Sequence, residues 1–315
     1  MTFVLTATFV LCLLFSVPIG IVLGLTSLIW IAYLSPDLVI LLPQKFLSGI
    51  NSFPLLAIPL FILAGNIMGH GGIAKRIIEM ALVFVGRMPG GLGMVSVIST
   101  MFFSGVCGSA SADTAAIGSI TLPEMKKRKY PPAFSTALMA AAGGTSTLIP
   151  PSIDLVIIGI VANISIAGLF AAGLLPALIN TVALLILTYI YGRRLKIPLE
   201  PKMSMPQKLK TLGNGVFAIL MVAIILGGIL GGIFTPTEAS AVAVIYGFII
   251  SFFVYKELKL EDLPKVLIQT CKLTGLVMFM LGMASIFSFI LSSLINRQFV
   301  GTIISDFSPR SSNIT

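Results

Sequence analysis

Residues 104–113 read SGVCGSASAD, and residues 143–152 read GGTSTLIPPS. Both stretches are polar and glycine-rich, and both interrupt apolar sequence. Lipid offers no hydrogen-bond partner to a backbone that leaves a helix, so such a break persists at membrane depth only where protein or a water-filled cavity satisfies it. Two breaks of this kind in one chain predict a transport site.

The composition places the chain in a membrane. Of the 315 residues, 57% are hydrophobic and 10% are charged, whereas roughly 25% are charged in a typical soluble domain. We therefore predict an all-α polytopic membrane protein. No basic residue precedes Phe3 and no clear small-residue cleavage site follows it, so the first apolar segment is predicted to be retained in the membrane and not removed as a signal peptide. The apolar segments cover residues 3–33, 53–68, 133–139, 155–162, 167–191, 216–234, 239–254 and 273–294.

The net charge of +9 indicates membrane topology and not nucleic-acid binding. The basic residues lie in short connections between apolar segments, as the positive-inside rule predicts for cytoplasmic loops. If these connections share one side of the membrane, residues 92–125 enter and leave by the same face, as a re-entrant hairpin with its tip at residues 105–113. The basic groups are Lys75, Arg76 and Arg87; Lys126 to Lys129; Arg193, Arg194, Lys196, Lys202, Lys208 and Lys210; and Lys256, Lys259 and Lys265.

The second break falls inside a predicted span. Pro150 and Pro151 have no N–H donor and restrict the residues before them, so a continuous helix through them is not expected. We predict a discontinuous helix, with an unwound segment at residues 143–151 between helices at residues 133–142 and 152–162. Half-helix N-termini favour an anionic substrate, and unwound carbonyls favour a sodium ion.

Oxygen atoms near the two breaks are the candidate ligands, because hard cations prefer oxygen. Asp113 is also well placed to cap a helix that starts at Thr114. The alternative for Ser109, Ser111, Thr145 and Thr147 is a hydrogen bond to a neighbouring helix. Asp154, at the edge of an apolar segment, is either an ionisable functional residue or an interfacial one. The candidate oxygens belong to Ser109, Ser111, Asp113, Thr114, Thr145, Thr147 and Ser152.

Other chemistry has little support in the sequence. There is no Gly-Lys-Ser or Gly-Lys-Thr phosphate loop, and His70 is the only histidine, which removes the usual histidine-based zinc sites and serine–histidine triads. We therefore do not expect an enzyme. Two alternatives to a transporter stay open: a channel module built from the same broken helices, and an intramembrane enzyme that uses Asp113 or Asp154 as an acid or base.

Four motifs occur in order along the chain. They are PLLAIPLFILAG at residues 54–65, CGSASADTAAIGSI at residues 107–120 with LPEM at residues 122–125, LIPPS at residues 148–152, and GIFTPTEA at residues 232–239. Together they extend over most of the chain. In these motifs the chain resembles the large permease subunit of tripartite ATP-independent periplasmic (TRAP) transporters, the DctM-like family.

The resemblance implies a fold, a function and partners. The fold is that of the ion-transporter superfamily, an elevator built from two inverted repeats that each hold a re-entrant hairpin and a broken helix. The implied function is sodium-coupled import of an organic acid, such as a C4-dicarboxylate or sialic acid, across the bacterial inner membrane. A periplasmic substrate-binding protein would deliver the acid, and a small membrane subunit would brace the permease. Sodium is the coupling ion, and no other cofactor is implied.

The resemblance also implies roles for individual residues at the hairpin tip and in the facing break, where family members hold their first sodium ion. The implied sodium ligands are Ser109, Ser111, Gly144, Thr145 and Pro150. The full set of substrate and ion candidates adds Asp113, Thr114, Thr147 and Ser152. Residues 236–238 match a motif of the second repeat, for which we expect a structural or coupling role.

The resemblance also implies how the chain is divided. The parts are a first repeat at residues 1–192, with the hairpin at about 92–125 and the broken helix at about 133–162; a cytoplasmic linker at residues 193–210; and a partial second repeat at residues 211–315 that ends in a polar tail. The hairpin and break of the family's second repeat do not follow Gly301, so the chain resembles a subunit truncated at its C-terminus. Because alternating access needs both repeats, a transport-inactive fragment is the alternative function.

Overall fold

The computed structural model describes residues 2–34, 36–195, 197, 199 and 203–307, and its regular elements are helices. The α-helices are α1 (Thr2–Leu14), α2 (Ile19–Leu34), α3 (Leu41–Ile50), α4 (Ala57–His70), α5 (Ile73–Val85), α6 (Gly91–Cys107), α7 (Ala110–Lys127), α8 (Pro132–Thr145), α9 (Ile153–Val161), α10 (Ile166–Arg194), α11 (Met205–Leu230), α12 (Pro236–Ile249) and α13 (Leu263–Phe307). A 3-10 turn, Ser146–Leu148, follows α8, and a π-helical turn, Ile250–Val254, follows α12.

Long apolar helices account for most of the described chain. An α-helix that crosses the hydrocarbon core needs about 20 predominantly apolar residues, and six helical stretches are long and apolar enough to do so. This confirms the prediction of an all-α polytopic membrane protein. The six stretches are Phe53–His70, Pro132–Val161, Ile166–Arg194, Met205–Leu230, Pro236–Val254 and Leu260–Ser292.

The first apolar segment, residues 3–33, is divided between two helices. Helix α1 ends at Leu14 and α2 begins at Ile19. Pro18 has no N–H to continue a helix, and Ser16 has a left-handed backbone with φ 56°. Each helix is shorter than the usual length of a full span. The uniformly apolar composition of the segment does not reveal that the chain bends between two short helices.

One compact unit of the fold comprises residues 2–34, 36–52 and 275–307. Its apolar core is built from α1, α2 and the C-terminal part of α13, and Trp30 is buried in it. The rings of Phe9 and Phe287 stack with their centroids 5.8 Å apart. Aromatic packing of this kind adds to the area that the helices bury against each other.

A second compact unit comprises residues 53–274 and contains both polar breaks. Helices α6, α7 and α8 pack together there through buried apolar side chains, which include Leu92, Val97, Met125, Leu138 and Ala142. The division of the chain into repeats stays a prediction. Residues 196, 198 and 200–202 of the predicted linker, and residues 308–315 of the predicted tail, lie outside the described residues.

A polar cluster in this second unit joins the start of α5 to the segment that follows α12. Arg76 Nη1 lies 2.8 Å from Glu257 Oε1, and the guanidinium carbon of Arg76 lies 3.7 Å from the ring centroid of Tyr255. The Tyr255 hydroxyl donates to the Asn214 carbonyl at 2.6 Å. Burial raises the pKa of Tyr255 to about 12, so this phenol remains a hydrogen-bond donor at neutral pH.

The motif at residues 235–238 begins α12 with a capping box. Pro236 is the first helical residue, where its missing N–H costs nothing. Glu238 Oε2 accepts from the Thr235 backbone N–H at 2.8 Å, and Thr235 Oγ1 accepts from the Glu238 backbone N–H at 3.3 Å. These reciprocal bonds satisfy donors that a helix start leaves unpaired. The geometry supports the structural role that was one of the two expected for this motif.

We predict that Thr235→Ala lowers the melting temperature of the detergent-solubilised chain by about 2–4 °C, because the α12 cap loses its hydroxyl acceptor. Thr235→Ser keeps that acceptor and is the matched control. Thermal unfolding followed by circular dichroism measures both variants. An equal loss in the two variants would contradict a capping role for the hydroxyl.

Candidate functional site

The two polar breaks lie against each other. Gly108, in the turn between α6 and α7, has a left-handed backbone with φ 61°, and its carbonyl accepts from the Ile153 N–H at 3.3 Å. A Cβ atom on Gly108 would collide with the Pro151 carbonyl oxygen and lie 3.0 Å from Ser152 Cα. Glycine is therefore required here both by the backbone conformation and by the close approach of the second break.

The turn at the hairpin tip is tighter than the predicted residues 105–113. Helix α6 continues through Cys107 and α7 begins at Ala110, so only Gly108 and Ser109 are non-helical. The Gly108 N–H donates to the Ser104 carbonyl at 3.0 Å, which ends α6 with a left-handed glycine, a common helix C-terminus. The structure thus contains a helical hairpin, and its re-entrant placement in the membrane stays a prediction.

The prediction that Asp113 caps a helix is wrong. The N-cap of α7 is Ser109, and Asp113 lies within the first turn of that helix, with its N–H donating to the Ser109 carbonyl at 2.9 Å. The left-handed turn at Gly108 allows the helix to start early, at Ala110. The Asp113 side chain is 0% exposed, so its carboxyl group depends on protein donors and on the positive end of the α7 dipole.

Two serines that the sequence reasoning did not select as site residues form a hydrogen-bonded chain that ends at this carboxyl group. Ser104 Oγ lies 2.7 Å from Asp113 Oδ2 and 2.5 Å from Ser146 Oγ. Ser104 donates to Asp113, and because a hydroxyl has only one hydrogen, Ser146 donates to Ser104. We call these three groups the Ser104 bridge; it connects α6, α7 and the 3-10 turn after α8.

The second break begins later than predicted. Helix α8 includes Gly143 and Gly144 and ends at Thr145, and α9 begins at Ile153. Glycine costs about 1 kcal/mol in a helix interior, but a Cβ on Gly143 would collide with Thr114 Oγ1 of α7. Close packing of the two helices offsets the poor helix propensity. The interruption itself lies where the prolines predict it.

Most of the predicted threonine hydroxyls donate within their own segment. Thr114 Oγ1 donates to the Ala110 carbonyl at 2.6 Å, and Thr147 Oγ1 donates to the Gly144 carbonyl at 3.0 Å. Their oxygen lone pairs are still able to accept or to coordinate. Both bonds are local, so neither of these two hydroxyls donates to a neighbouring helix.

The serines at the hairpin tip are partly accessible. Ser111 is exposed and Ser109 is half-buried, and their Oγ atoms are 3.3 Å apart. In the described part of the chain, no hydrogen bond joins either serine to Gly144 or Thr145. The turn at Gly108 therefore packs on the second break, but the predicted sodium ligands at the tip do not bond directly to Gly144 or Thr145.

Asn180, in α10, is a site residue that the sequence reasoning missed. Its Nδ2 donates to Thr145 Oγ1 at 2.6 Å, and that oxygen donates in turn to the Ala141 carbonyl at 2.9 Å. A signal was present, because Asn180 is the only carboxamide in a long apolar helix. Carboxamides in membrane helices commonly bond across to another helix.

Among the predicted site residues, Ser152 has a buried hydroxyl that makes no hydrogen bond to a described residue. Its side chain is 0% exposed, and its Oγ has no hydrogen-bond partner among the described residues. A buried hydroxyl without a partner costs about 1–3 kcal/mol. Its oxygen is therefore available to a ligand at the start of α9. Asp154, in the first turn of α9, is exposed.

The donor set is one of hydroxyls and backbone carbonyls. Within the described ranges, no group of three or more His, Cys, Asp or Glu is placed to hold a metal ion. Hydroxyl and carbonyl oxygens suit hard cations, whereas histidine and cysteine suit zinc and other transition metals. The predicted site residues that cluster at the contact between the breaks are Asp113, Pro150 and Ser152, together with Thr145 beside Asn180.

Comparison with known proteins gives consistent matches along the chain. The family model described as the tripartite ATP-independent periplasmic transporter, DctM component, matches residues 6–312. A putative TRAP transporter large permease protein of Haemophilus influenzae is 42% identical over 252 residues, which cover 80% of this chain and 59% of that protein. The C4-dicarboxylate TRAP transporter large permease protein DctM of Pseudomonas aeruginosa is 39% identical over 271 residues, which cover 86% of this chain and 64% of that protein.

A third relative, the 2,3-diketo-L-gulonate TRAP transporter large permease protein YiaN of Escherichia coli, is 35% identical over 288 residues. The match covers 89% of this chain and 67% of that protein. The chain spans less than two thirds of the length of the first two relatives, 59% and 64%.

We predict that Gly108→Ala destabilises the chain by more than about 2 kcal/mol, because the new methyl group strains a left-handed backbone and collides with the Pro151 carbonyl. Gly118→Ala is the matched control in α7, where the added Cβ would lie 3.5 Å from Leu122 Cδ1, an ordinary contact. Thermal unfolding in nanodiscs compares the two. Equal stability of the two variants would show that the breaks do not approach as closely as described.

Proposed function

This chain belongs to the family of tripartite ATP-independent periplasmic transporter DctM components, and we propose that it is the permease subunit that moves an organic acid across the bacterial inner membrane. The family consists of transporter components and not enzymes, as the sequence predicts. Two of the relatives are named for C4-dicarboxylates and for 2,3-diketo-L-gulonate. We therefore propose a carboxylate substrate, such as a C4-dicarboxylate or sialic acid, for this chain.

The observation that carries this proposal is the contact between two helix interruptions. The break at residues 146–152 falls within the 30-residue stretch Pro132–Val161, which is long enough to cross a membrane. The turn at Gly108 packs directly onto it. Backbone that leaves a helix within a membrane is tolerated where it is buried in protein or lines a cavity, and it is the usual construction of secondary transporter sites.

We propose sodium as the coupling ion. The predicted ligands offer the oxygen atoms that hard cations prefer, and the buried Ser152 hydroxyl has no partner among the described residues. Asp113, if ionised, supplies negative charge one helical turn after Ser109. The proposed ligands are Ser109, Ser111, Gly144, Thr145 and Pro150.

The carboxylate substrate is proposed to bind beside the ion. The N-termini of α7 and α9 both begin at the contact between the breaks, and helix N-termini carry partial positive charge that favours anions. No arginine occurs in either break. Backbone N–H groups and hydroxyls are therefore the proposed recognition groups in this part of the chain.

The proposed partners are those of a tripartite transporter. A periplasmic substrate-binding protein would deliver the acid, and a small membrane subunit would support the permease in the lipid bilayer. The basic connections between spans are proposed to face the cytoplasm, in accord with the positive-inside rule.

Transport is tested by reconstituting the chain with a small membrane subunit and a periplasmic binding protein of a tripartite transporter. Uptake of radiolabelled C4-dicarboxylate or sialic acid into proteoliposomes is measured with an inward sodium gradient and with an equal potassium gradient. We expect saturable uptake that requires sodium. A flux that neither saturates nor requires the gradient would favour a channel, and an absence of uptake would favour the alternative of a transport-inactive fragment.

We predict that Gly144→Ala weakens sodium binding by at least about tenfold, because the methyl group would occupy the open space beside a proposed ligand. A Cβ there would have no atom within 4 Å, so the fold should be equally stable or more stable. Gly275→Ala, in α13, has the same open surroundings and is the control. Sodium binding is measured as the increase in melting temperature with sodium over potassium. An unchanged sodium response would contradict the assignment of Gly144.

A further inference from the structure

Ser104 differs from the other buried hydroxyls of α6. Ser96, Ser99 and Thr100 are also 0% exposed. The Ser99 hydroxyl has no partner among the described residues. The Ser96 hydroxyl donates to the Leu92 carbonyl at 3.0 Å and lies 3.8 Å from Met125 Sδ, and the Thr100 hydroxyl donates to the Ser96 carbonyl at 2.8 Å. Such bonds back to the preceding turn are common for hydroxyl residues within helices. The Ser104 hydroxyl instead contacts Asp113 and Ser146, which belong to two other elements.

The Ser104 bridge lies between the two groups of proposed sodium ligands. Ser104 is one helical turn before the hairpin tip, because its carbonyl accepts from the Gly108 N–H. Ser146 directly follows Thr145 in the chain. The bridge therefore connects the end of α6, next to the tip, with the first residue of the second break.

The bridge is also shorter than the other polar link described across this contact. The other is the backbone bond from Ile153 to Gly108, which is 3.3 Å long and so at the weak end of the range for N–H···O bonds. The bridge has O···O distances of 2.7 and 2.5 Å, and its bond to a carboxylate is charge-assisted when Asp113 is ionised. All three of its side chains are fully buried, where such bonds are least weakened by water.

We propose that Ser104 is a positioning residue that holds the hairpin tip and the second break in one arrangement before sodium binds. This inference rests on the proposed sodium site. Ligands that are already in place bind an ion more tightly than ligands that must be ordered, because the ordering cost is subtracted from the binding free energy. Ser104 itself is not a ligand in this scheme; it acts through the two segments that it connects.

The test measures sodium affinity in the full chain purified in nanodiscs, from the sodium-dependent rise in melting temperature, with potassium as the control ion. We expect Ser104→Ala to weaken sodium binding by about tenfold or more. Ser104→Thr keeps the hydroxyl and should restore most of the affinity. Ser96→Ala is the matched control, because it removes an equally buried serine hydroxyl from the same helix without touching the bridge.

Ser146→Ala provides a milder variant, because the bond from Ser104 to the buried Asp113 carboxyl group remains. It should weaken sodium binding as Ser104→Ala does while unfolding at a temperature closer to that of the unmodified chain. The double variant should bind sodium no more weakly than Ser104→Ala alone, because the two serines act as one unit. Hydrogen exchange of the peptides that contain Gly108 and Ile153 should then show protection that is present without sodium in the unmodified chain and that requires sodium in both single variants.

The outcomes separate this inference from the proposed function. If the unmodified chain shows no sodium-specific response, the proposed sodium site is wrong and the inference fails with it. If the unmodified chain responds and Ser104→Ala binds sodium as well as Ser96→Ala does, only the positioning role is overturned. The positioning role is also overturned if the double variant loses as much sodium-binding free energy as the two single variants combined, since the serines would then act independently.

Discussion

The structure depends on one constraint, which is that backbone leaving a helix inside a membrane must find its hydrogen-bond partners in protein. The hairpin turn and the helix interruption meet this constraint together. Gly108 offers its carbonyl to Ile153, and its missing side chain leaves room for Pro151. Neither break is self-sufficient, so the hairpin and the broken helix form one structural element although Gly108 and Ile153 are 45 positions apart in the sequence.

Burial of a carboxyl group imposes a second requirement on the same region. Asp113 is fully buried beside a helix N-terminus, where an unpaired charge would be costly. Ser104 meets this need and adds Ser146 to the network. Asp113, which the sequence assigns to a ligand site, therefore also contributes to the fold through its bond with Ser104.

The sequence was sufficient for the membrane class, for the helical hairpin and for the interruption at the two prolines, because these follow from composition and local backbone chemistry. Helix ends were predicted less well. Gly143 is helical because α8 packs closely on Thr114, which no local pattern encodes. The roles of Ser146 and Asn180 depend on partners 42 and 35 residues away, and side-chain pairing over such distances cannot be derived from a single sequence.

The Ser104 bridge has a direction. Hydrogens point from Ser146 through Ser104 toward the Asp113 carboxyl group, because Ser104 donates to Asp113 and each hydroxyl has one hydrogen to give. The hydroxyl hydrogen of Ser146, in the second break, is therefore oriented by a carboxyl group in the hairpin that it does not touch.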